Sequence, residues 1–129
     1  MQPRERFTGG SGKRLEQTTG SIKALDPVTG ETKAVARTDL PNWSGVLATG
    51  GNLIFSGLWE GALVAYDGKS LKELWRFDTG CGIVAPPISY AVNGKQYVAV
   101  AAGPKWQEAT KPASLKYANA CSTLYVFTL

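Results

Sequence analysis

Short apolar segments separated by turn residues follow one another along the chain from residue 20 onward. Their apolar positions are rich in β-branched and aromatic side chains, and glycine, proline, asparagine or aspartate lie between them. This alternation is typical of β-strands, and no segment carries the sustained apolar period of 3.6 residues that indicates a helix. The predicted strands begin with Ile22, Ala24 and Val35 and continue at residues 53–55, 63–66, 74–77, 97–101 and 123–127.

One strand recurs in the sequence. Residues 20–26 align with residues 61–67 at an offset of 41 residues, and residues 122–127 repeat the same strand a third time. A period of this size suits the four-stranded blade of a β-propeller. The sequence therefore predicts an all-β fold, a partial β-propeller with about two blades of four-stranded antiparallel sheet.

Three side chains of the central repeat have a physical explanation in such a blade. Ala65 is small, which lets a neighbouring blade pack over it. Trp75, eight residues after Asp67, offers a large flat ring and one N–H donor, so we expect it to be buried between blades. Asp67 is expected to accept hydrogen bonds from backbone N–H groups of the turn that follows it. Ala34 stands in the earlier copy where the later copy has Trp75.

The pattern divides the chain into two parts. Residues 1–19 are polar and include Gly9-Gly10-Ser11-Gly12, which predicts a flexible leader. Residues 20–129 are predicted to form a partial β-propeller domain. Its complete blade spans about residues 43–78, with a partial blade on either side.

Composition and charge narrow the functional classes. The chain has 129 residues and a net charge of +4, with 14 basic residues, enough for one domain with a modest core. Its basic start has no nucleic-acid-binding motif beside it, so we expect no nucleic-acid partner. The first residues have no apolar stretch, which predicts neither a signal peptide nor a membrane span.

Residue usage excludes several kinds of chemistry. The chain contains no histidine, which excludes histidine-based catalysis and histidine metal ligands. Cys81 and Cys121 are the two cysteines, too few for a disulfide framework or a zinc site.

Several short motifs together resemble one enzyme family. Residues 20–103 and 122–129 are similar to the C-terminal part of the pyrroloquinoline quinone (PQQ)-dependent alcohol dehydrogenases, which are periplasmic eight-bladed propellers with the quinone on their axis. The resemblance implies oxidation of primary alcohols to aldehydes in the intact family, and a periplasmic location. The motifs are Gly20-x-Ile22-x-Ala24-x-Asp26, Trp43-x-Gly45-x-x-Ala48-Thr49-x-Gly51, Gly82-Ile83-Val84-Ala85-Pro86-Pro87 and Gly94-Lys95-Gln96-Tyr97-Val98.

The resemblance implies three cofactor-binding positions. Trp43 matches the tryptophan that in this family reaches toward the PQQ carboxylates, and Val84 matches a residue beside the quinone. Trp106 is the equivalent of a tryptophan close to the cofactor in the loop after Gly103. The alternative for Trp43 is an ordinary tryptophan at a blade edge, and for Trp106 a loop aromatic that covers the core.

The resemblance does not extend to the catalytic machinery. The family uses an aspartate base, a calcium or lanthanide ion held by carboxylates and an amide, an arginine near the quinone oxygens, and two adjacent cysteines. No position of this chain matches these groups, so the sequence offers no catalytic residue and no metal ligand. Asp26 and Asp67 match turn positions of the blades instead. Whether the chain alone acts as an enzyme stays open.

Three hypotheses follow, of which the third is a stand-alone small β-domain with some other ligand. In the first, the chain is a part of a quinoprotein dehydrogenase that needs the missing propeller blades of a parent chain and PQQ. In the second, it is a non-catalytic β-propeller module that forms a homo-oligomer through its open blade edges, either as a two-fold dimer or as a ring of four chains.

Overall fold

The computed structural model describes residues 18–103 and 122–128. This part of the chain contains nine β-strands and no helix, which confirms the all-β prediction. Accordingly, these residues include no helix that could span a membrane. The strands are β1 (Gly20–Leu25), β2 (Thr32–Thr38), β3 (Val46–Ala48), β4 (Leu53–Gly57), β5 (Ala62–Asp67), β6 (Glu73–Asp78), β7 (Ile88–Val92), β8 (Lys95–Ala102) and β9 (Thr123–Thr128).

The strands form three antiparallel sheets in chain order. Sheet A has the order β1-β2, sheet B the order β3-β4-β5-β6 and sheet C the order β7-β8-β9. Each strand therefore pairs with its neighbour in sequence, as in a meander. Among the described residues only sheet B has the four strands of the predicted blade.

The 41-residue repeat is visible in the backbone. Asp26 and Asp67 each accept hydrogen bonds from two backbone N–H groups of the next turn, at 2.8–3.1 Å. Gly30 and Leu71 occupy equivalent positions and both have positive φ angles, of 72° and 53°. The strand pairs β1–β2 and β5–β6 also carry a register shift at the same position. The repeat thus fixes turn geometry as well as strand positions.

Sheet B lies between the other two sheets. One face packs against sheet C, where Phe55, Leu63 and Ala65 meet Val98 and Val100. Ala65 is 4% exposed, as expected for a small residue under a neighbouring sheet. The opposite face packs against sheet A in a second cluster formed by Ile22, Ala36, Leu58, Ala62, Val64, Tyr66 and Leu71.

The prediction that Trp75 is buried is wrong. Its side chain is 40% exposed, because β6 is the edge strand of sheet B and leaves one side of the ring open. The ring still joins two sheets, since its centroid lies 5.3 Å from that of Phe127 on β9 in an edge-to-face arrangement. Trp75 therefore docks one sheet on the next at their rim.

Two connecting segments cross the molecule. Residues 39–45 run from β2, the last strand of sheet A, to β3, the first strand of sheet B, and residues 79–87 make the same passage from β6 to β7. Cys81 in the second segment is 5% exposed and disulfide-bonded, a bond that the sequence did not predict. Cys121 and most of the predicted leader lie outside the described residues, so the proposed domain bounds stay a prediction.

Candidate functional site

The two connecting segments meet beside the turn between β4 and β5. Residues 42–45, 58–61 and 79–86 form this meeting point, which we call the connector site. It lies where β3 and β7, the first strands of sheets B and C, begin. Its geometry depends on a polar network, on two close backbone contacts and on one tryptophan pair.

Ser44 is the centre of the polar network. Its Oγ donates to the carbonyl oxygen of Ala85 over 2.8 Å and accepts from the N–H of Gly57 over 3.2 Å. Asn42 Oδ1 accepts from the Ser44 N–H over 3.0 Å, and Asn42 Nδ2 donates to Ser56 Oγ over 2.9 Å. One hydroxyl thus ties the first connecting segment both to the second segment and to β4.

Two glycines bring the backbones into close contact. A Cβ atom on Gly45 would lie 2.7 Å from Pro86 Cβ, and one on Gly57 would lie 2.1 Å from Ile83 Cγ2. Ile83 is fully buried, so it has no free space into which to move. Glycine at both positions is therefore a steric requirement of the site.

The turn between β4 and β5 is held by backbone and hydroxyl contacts. The N–H of Ile83 donates to the carbonyl oxygen of Leu58 over 3.3 Å. Thr79 donates to the carbonyl oxygen of Gly61 twice, from its N–H over 2.8 Å and from its Oγ1 over 2.7 Å. Gly61 has a φ of 113°, a conformation that glycine adopts without strain.

The tryptophan pair forms the exposed part of the site. Trp43 is 51% exposed, whereas Trp59 at the turn is 7% exposed. Their ring centroids lie 5.9 Å apart with an angle of 42° between the planes. Trp59 therefore supports one side of the Trp43 ring and leaves much of that ring accessible.

The structure brings two of the three sequence-predicted site residues to the same place. Trp43 and Val84 are the chain neighbours of Ser44 and Ala85, which share the hydrogen bond described above, and Val84 is 38% exposed. Trp106 lies outside the described residues. The sequence analysis missed Trp59, Asn42, Ser44 and Thr79. For Trp59 a signal existed, because a tryptophan at a turn position usually held by small polar residues is unusual.

Charge is sparse at the connector site. Its three segments contain one ionisable side chain apart from the bonded cysteine, Glu60, whose Oε2 is buried without a hydrogen-bond partner. No cluster of potential metal-ligating side chains occurs in residues 18–103 or 122–128. The three segments can thus supply aromatic contact and N–H donors to a ligand, but no positive charge to balance an anionic group.

Glu60 lines a polar cavity between sheets A and B, next to the connector site. The cavity has a volume of about 260 Å³ and is lined by Arg37, Tyr66, Glu73 and Arg76. Burial, followed by the nearby Glu73 carboxylate, raises the pKa of Tyr66. The Glu73 hydrogen bond raises the pKa of Arg76. The Glu73–Arg76 ion pair lies within β6, where Glu73 stands opposite Tyr66 of β5.

Comparison with known proteins identifies the family. A family model described as "PQQ: Glucose/ethanol/alcohol dehydrogenase, beta-propeller domain" matches residues 11–98. The chain belongs to the PQQ-dependent alcohol dehydrogenase family. This membership confirms the resemblance seen in the motifs, and it identifies sheets A, B and C as parts of successive propeller blades.

Curated relatives include quinoprotein dehydrogenases of two pseudomonads. The chain is 49% identical over 84 residues to the quinoprotein alcohol dehydrogenase PedE of Pseudomonas putida, covering 58% of this chain and 13% of that protein. It is 56% identical over 64 residues to the quinoprotein ethanol dehydrogenase of Pseudomonas aeruginosa, covering 50% of this chain and 10% of that protein. The chain thus spans about a tenth of the length of these relatives.

Solved structures agree with the fold. A europium-containing methanol dehydrogenase superposes with a TM-score of 0.73 at 30% identity, over 84% of this chain and 23% of that one. The quinohemoprotein alcohol dehydrogenase of Comamonas testosteroni superposes with a TM-score of 0.70 at 33% identity, over 85% of this chain and 16% of that one. The partial-propeller prediction is therefore confirmed.

Proposed function

We propose that the connector site forms part of the wall of a PQQ pocket in a quinoprotein alcohol dehydrogenase. The observation that carries this proposal is the Ser44–Ala85 hydrogen bond, which holds Trp43 and Val84 at one place with both side chains partly exposed. Both residues stand at positions that the family resemblance assigns to the cofactor.

The residues fit one edge of the cofactor. PQQ is a planar quinone with carboxylate groups, so the accessible Trp43 ring offers a flat apolar contact and an indole N–H donor. When bound, PQQ accepts the electrons and hydrogen that an alcohol loses on becoming an aldehyde. The chain's own residues orient one side of the ring and exclude water there.

The rest of the pocket must come from other blades. The connector site supplies no cation for the PQQ carboxylates, and the calcium or lanthanide of the family needs several oxygen ligands. Since the chain spans about a tenth of its curated relatives, we propose that alcohol oxidation needs the missing propeller blades of a longer or partner chain.

We further propose a periplasmic location. The disulfide-bonded Cys81 supports it, because structural disulfides persist in oxidising compartments. Cysteine alkylation with and without reductant, on protein taken directly from the periplasm of a bacterial host, tests this proposal. Alkylation of native protein without reductant would contradict it.

Tryptophan fluorescence tests the cofactor proposal. We expect PQQ to quench the fluorescence of the 129-residue chain saturably, and Trp43→Phe to need a higher PQQ concentration for half-maximal quenching. Trp75→Phe, at the rim between sheets B and C, is the matched control and should quench as the wild type does, after correction for the missing ring. Absence of saturable quenching in the wild type would contradict the proposal.

A second candidate is a self-associating module, favoured by one surface. The outer face of sheet C presents five large apolar side chains that are 40–67% exposed: Ile88, Tyr90, Val92, Leu124 and Val126. At roughly 200 Å² for a large side chain, they offer on the order of 500 Å² per copy, so two copies approach the about 1,000 Å² of a specific interface.

The charge of the opposite surface favours a two-fold dimer over a ring. The outer face of sheet A carries the exposed cations Lys23 and Lys33, and that of sheet C carries Lys95, so a contact between these two faces would bring three cations together at a desolvation cost. A head-to-tail ring needs that contact, whereas a two-fold dimer pairs sheet C with itself.

Light scattering across a concentration series tests this candidate. We expect a concentration-dependent dimer that Val126→Lys converts to a monomer. Val28→Lys is the matched control, since Val28 lies in a turn and is 91% exposed, and it should leave the dimer intact. A monomeric wild type at every concentration would overturn self-association without affecting the cofactor proposal.

A further inference from the structure

A turn residue at the connector site is buried against the residue that the cofactor proposal depends on. Trp59 occupies the tight turn between β4 and β5, in which the N–H of Gly61 donates to the carbonyl oxygen of Leu58 over 3.0 Å. Side chains at such positions usually face solvent. Trp59 is 7% exposed, and the Trp43 ring lies against it.

The two tryptophans differ in how firmly their backbones are held. The Trp59 turn is fixed by the Ile83 N–H on Leu58 and by Thr79 on Gly61. Trp43 lies in a segment without secondary structure, where the hydrogen bonds of Asn42 and Ser44 hold the backbone but not the Trp43 ring. The ring of Trp43 therefore depends on a neighbour for its orientation.

From this asymmetry we propose that Trp59 is a positioning residue, which fixes the orientation of the Trp43 ring so that its free side faces the edge of PQQ that carries the carboxylates. This inference rests on the proposed function, because the ligand of the free side is PQQ. Trp59 itself does not touch the cofactor. The Trp59 ring is tilted by 42° against the Trp43 ring and supports that ring from behind.

The chemistry of the pair supports this role. A tilted aromatic pair gains stability from its ring quadrupoles in addition to its buried area, so the orientation of Trp43 is set before a ligand arrives. Pre-orientation of a contact residue raises affinity because less conformational freedom is lost on binding. A flexible aliphatic side chain at position 59 would fill space without fixing the angle.

Two variants at position 59 separate orientation from simple packing. Trp59→Leu is expected to weaken PQQ binding about three- to tenfold, the range that loss of one aromatic pair gives. Trp59→Phe should restore affinity to near the wild-type value, since its aromatic ring again supports the Trp43 ring. Trp75→Leu, outside the site, is the control and should bind PQQ as the wild type does.

Circular dichroism provides a readout independent of the cofactor. Two indoles at a fixed angle give an exciton couplet, which we expect in the wild type and in Trp75→Leu but not in Trp43→Phe or Trp59→Leu. Thermal midpoints of all variants identify any loss of folding, and binding is compared below the lowest midpoint.

Each outcome decides between the two proposals. Unchanged PQQ affinity in Trp59→Leu, a missing couplet in the wild type, or failure of Trp59→Phe to restore binding overturns the role of Trp59 and leaves the cofactor proposal standing. A wild type with a couplet but without PQQ binding overturns the proposed function, and with it the ligand assigned to the free side of Trp43.

Discussion

Glycine at position 57 sets the distance between sheet B and the second connecting segment. The hydrogen that replaces a side chain there lies against Ile83, which is fully buried. Any larger group would have to push β4 away from the loop that carries Val84. The absence of a side chain at Gly57 thus keeps the loop with Val84, a predicted cofactor-binding residue, close to β4.

We expect Gly57→Ala to destabilise the chain by about 1–3 kcal/mol or more, the cost of overpacking a filled core. The new Cβ would lie 2.1 Å from Ile83 Cγ2. Gly50→Ala is the matched control, because a methyl group added at Gly50 would meet no other atom within 4 Å. Urea unfolding of both variants measures the effect, and equal midpoints would show that the loop shifts freely.

Single residues were predictable where a motif contained them. Trp43 and Val84 lie inside family-like motifs, so the sequence indicated both. Trp59 and Thr79 act through contacts between segments that are distant along the chain, as in the bond from Thr79 to Gly61. Such partners depend on tertiary structure, which a single sequence does not show.

At the scale of elements, the aspartate turns after β1 and β5 are the most regular feature. Hydrogen bonds from the backbone N–H groups of Thr29 and Val28 lower the pKa of Asp26. Those from the N–H and hydroxyl of Ser70 lower the pKa of Asp67. The same device closes both copies of the repeat.

These turns predict a loss of stability in acid. Because the folded-state pKa of each aspartate lies below the ordinary value of 3.8, their contribution is present above pH 3.8 and is lost as the pH falls through the folded-state pKa. Asp26→Asn/Asp67→Asn should therefore show a flatter decline of unfolding free energy below that pH. Denaturant titrations at neutral and acid pH measure it, with exposed Asp39→Asn as the control. An unchanged slope in the double variant would contradict this origin.

The rim between sheets B and C gives a second prediction at this scale. Trp75→Ala should cost less than the about 3–5 kcal/mol of a fully buried aromatic, since the ring is 40% exposed. A double-mutant cycle with Phe127→Ala should give a coupling of about 0.5–1.5 kcal/mol. Chemical unfolding of the four proteins measures it. Coupling near zero would mean that the two rings do not dock the sheets.

Strand positions followed from the sequence more readily than strand surroundings. Apolar runs and turn residues located the strands, because both are local signals. The exposure of Trp75 was wrongly predicted because the sequence of β6 does not show whether another strand pairs with its outer edge. The unequal sheets of two, four and three strands likewise depend on pairing partners rather than on any one segment.

At the scale of the whole molecule, the chain belongs to the family but spans only about a tenth of the length of its curated relatives. The described residues form one four-stranded sheet with partial sheets on both sides. The connector site offers contact surface for a cofactor, and the sequence offers no match for the aspartate base or the metal ligands of the family.

We therefore expect that the isolated chain does not oxidise alcohols, even with PQQ and calcium or a lanthanide added. Acid–base groups and a metal ion placed at the reacting atoms are what accelerate such steps. Dye reduction with a primary alcohol measures the rate, and a full-length family enzyme prepared alongside is the positive control. Turnover clearly above the blank would show that this chain carries a catalytic group of its own.

The contact between the two connecting segments also determines how the molecule would unfold under mechanical force. Pulled from its two ends, sheet A can unzip one hydrogen bond at a time, since it has only β1 and β2 among the described strands. Sheets B and C resist together, because the Ser44–Ala85 bond joins the two connecting segments and the Gly57–Ile83 contact joins β4 to the second of them. A stretching trace would then show a short, weak extension followed by one long rupture, so that these contacts make two blades a single mechanical unit.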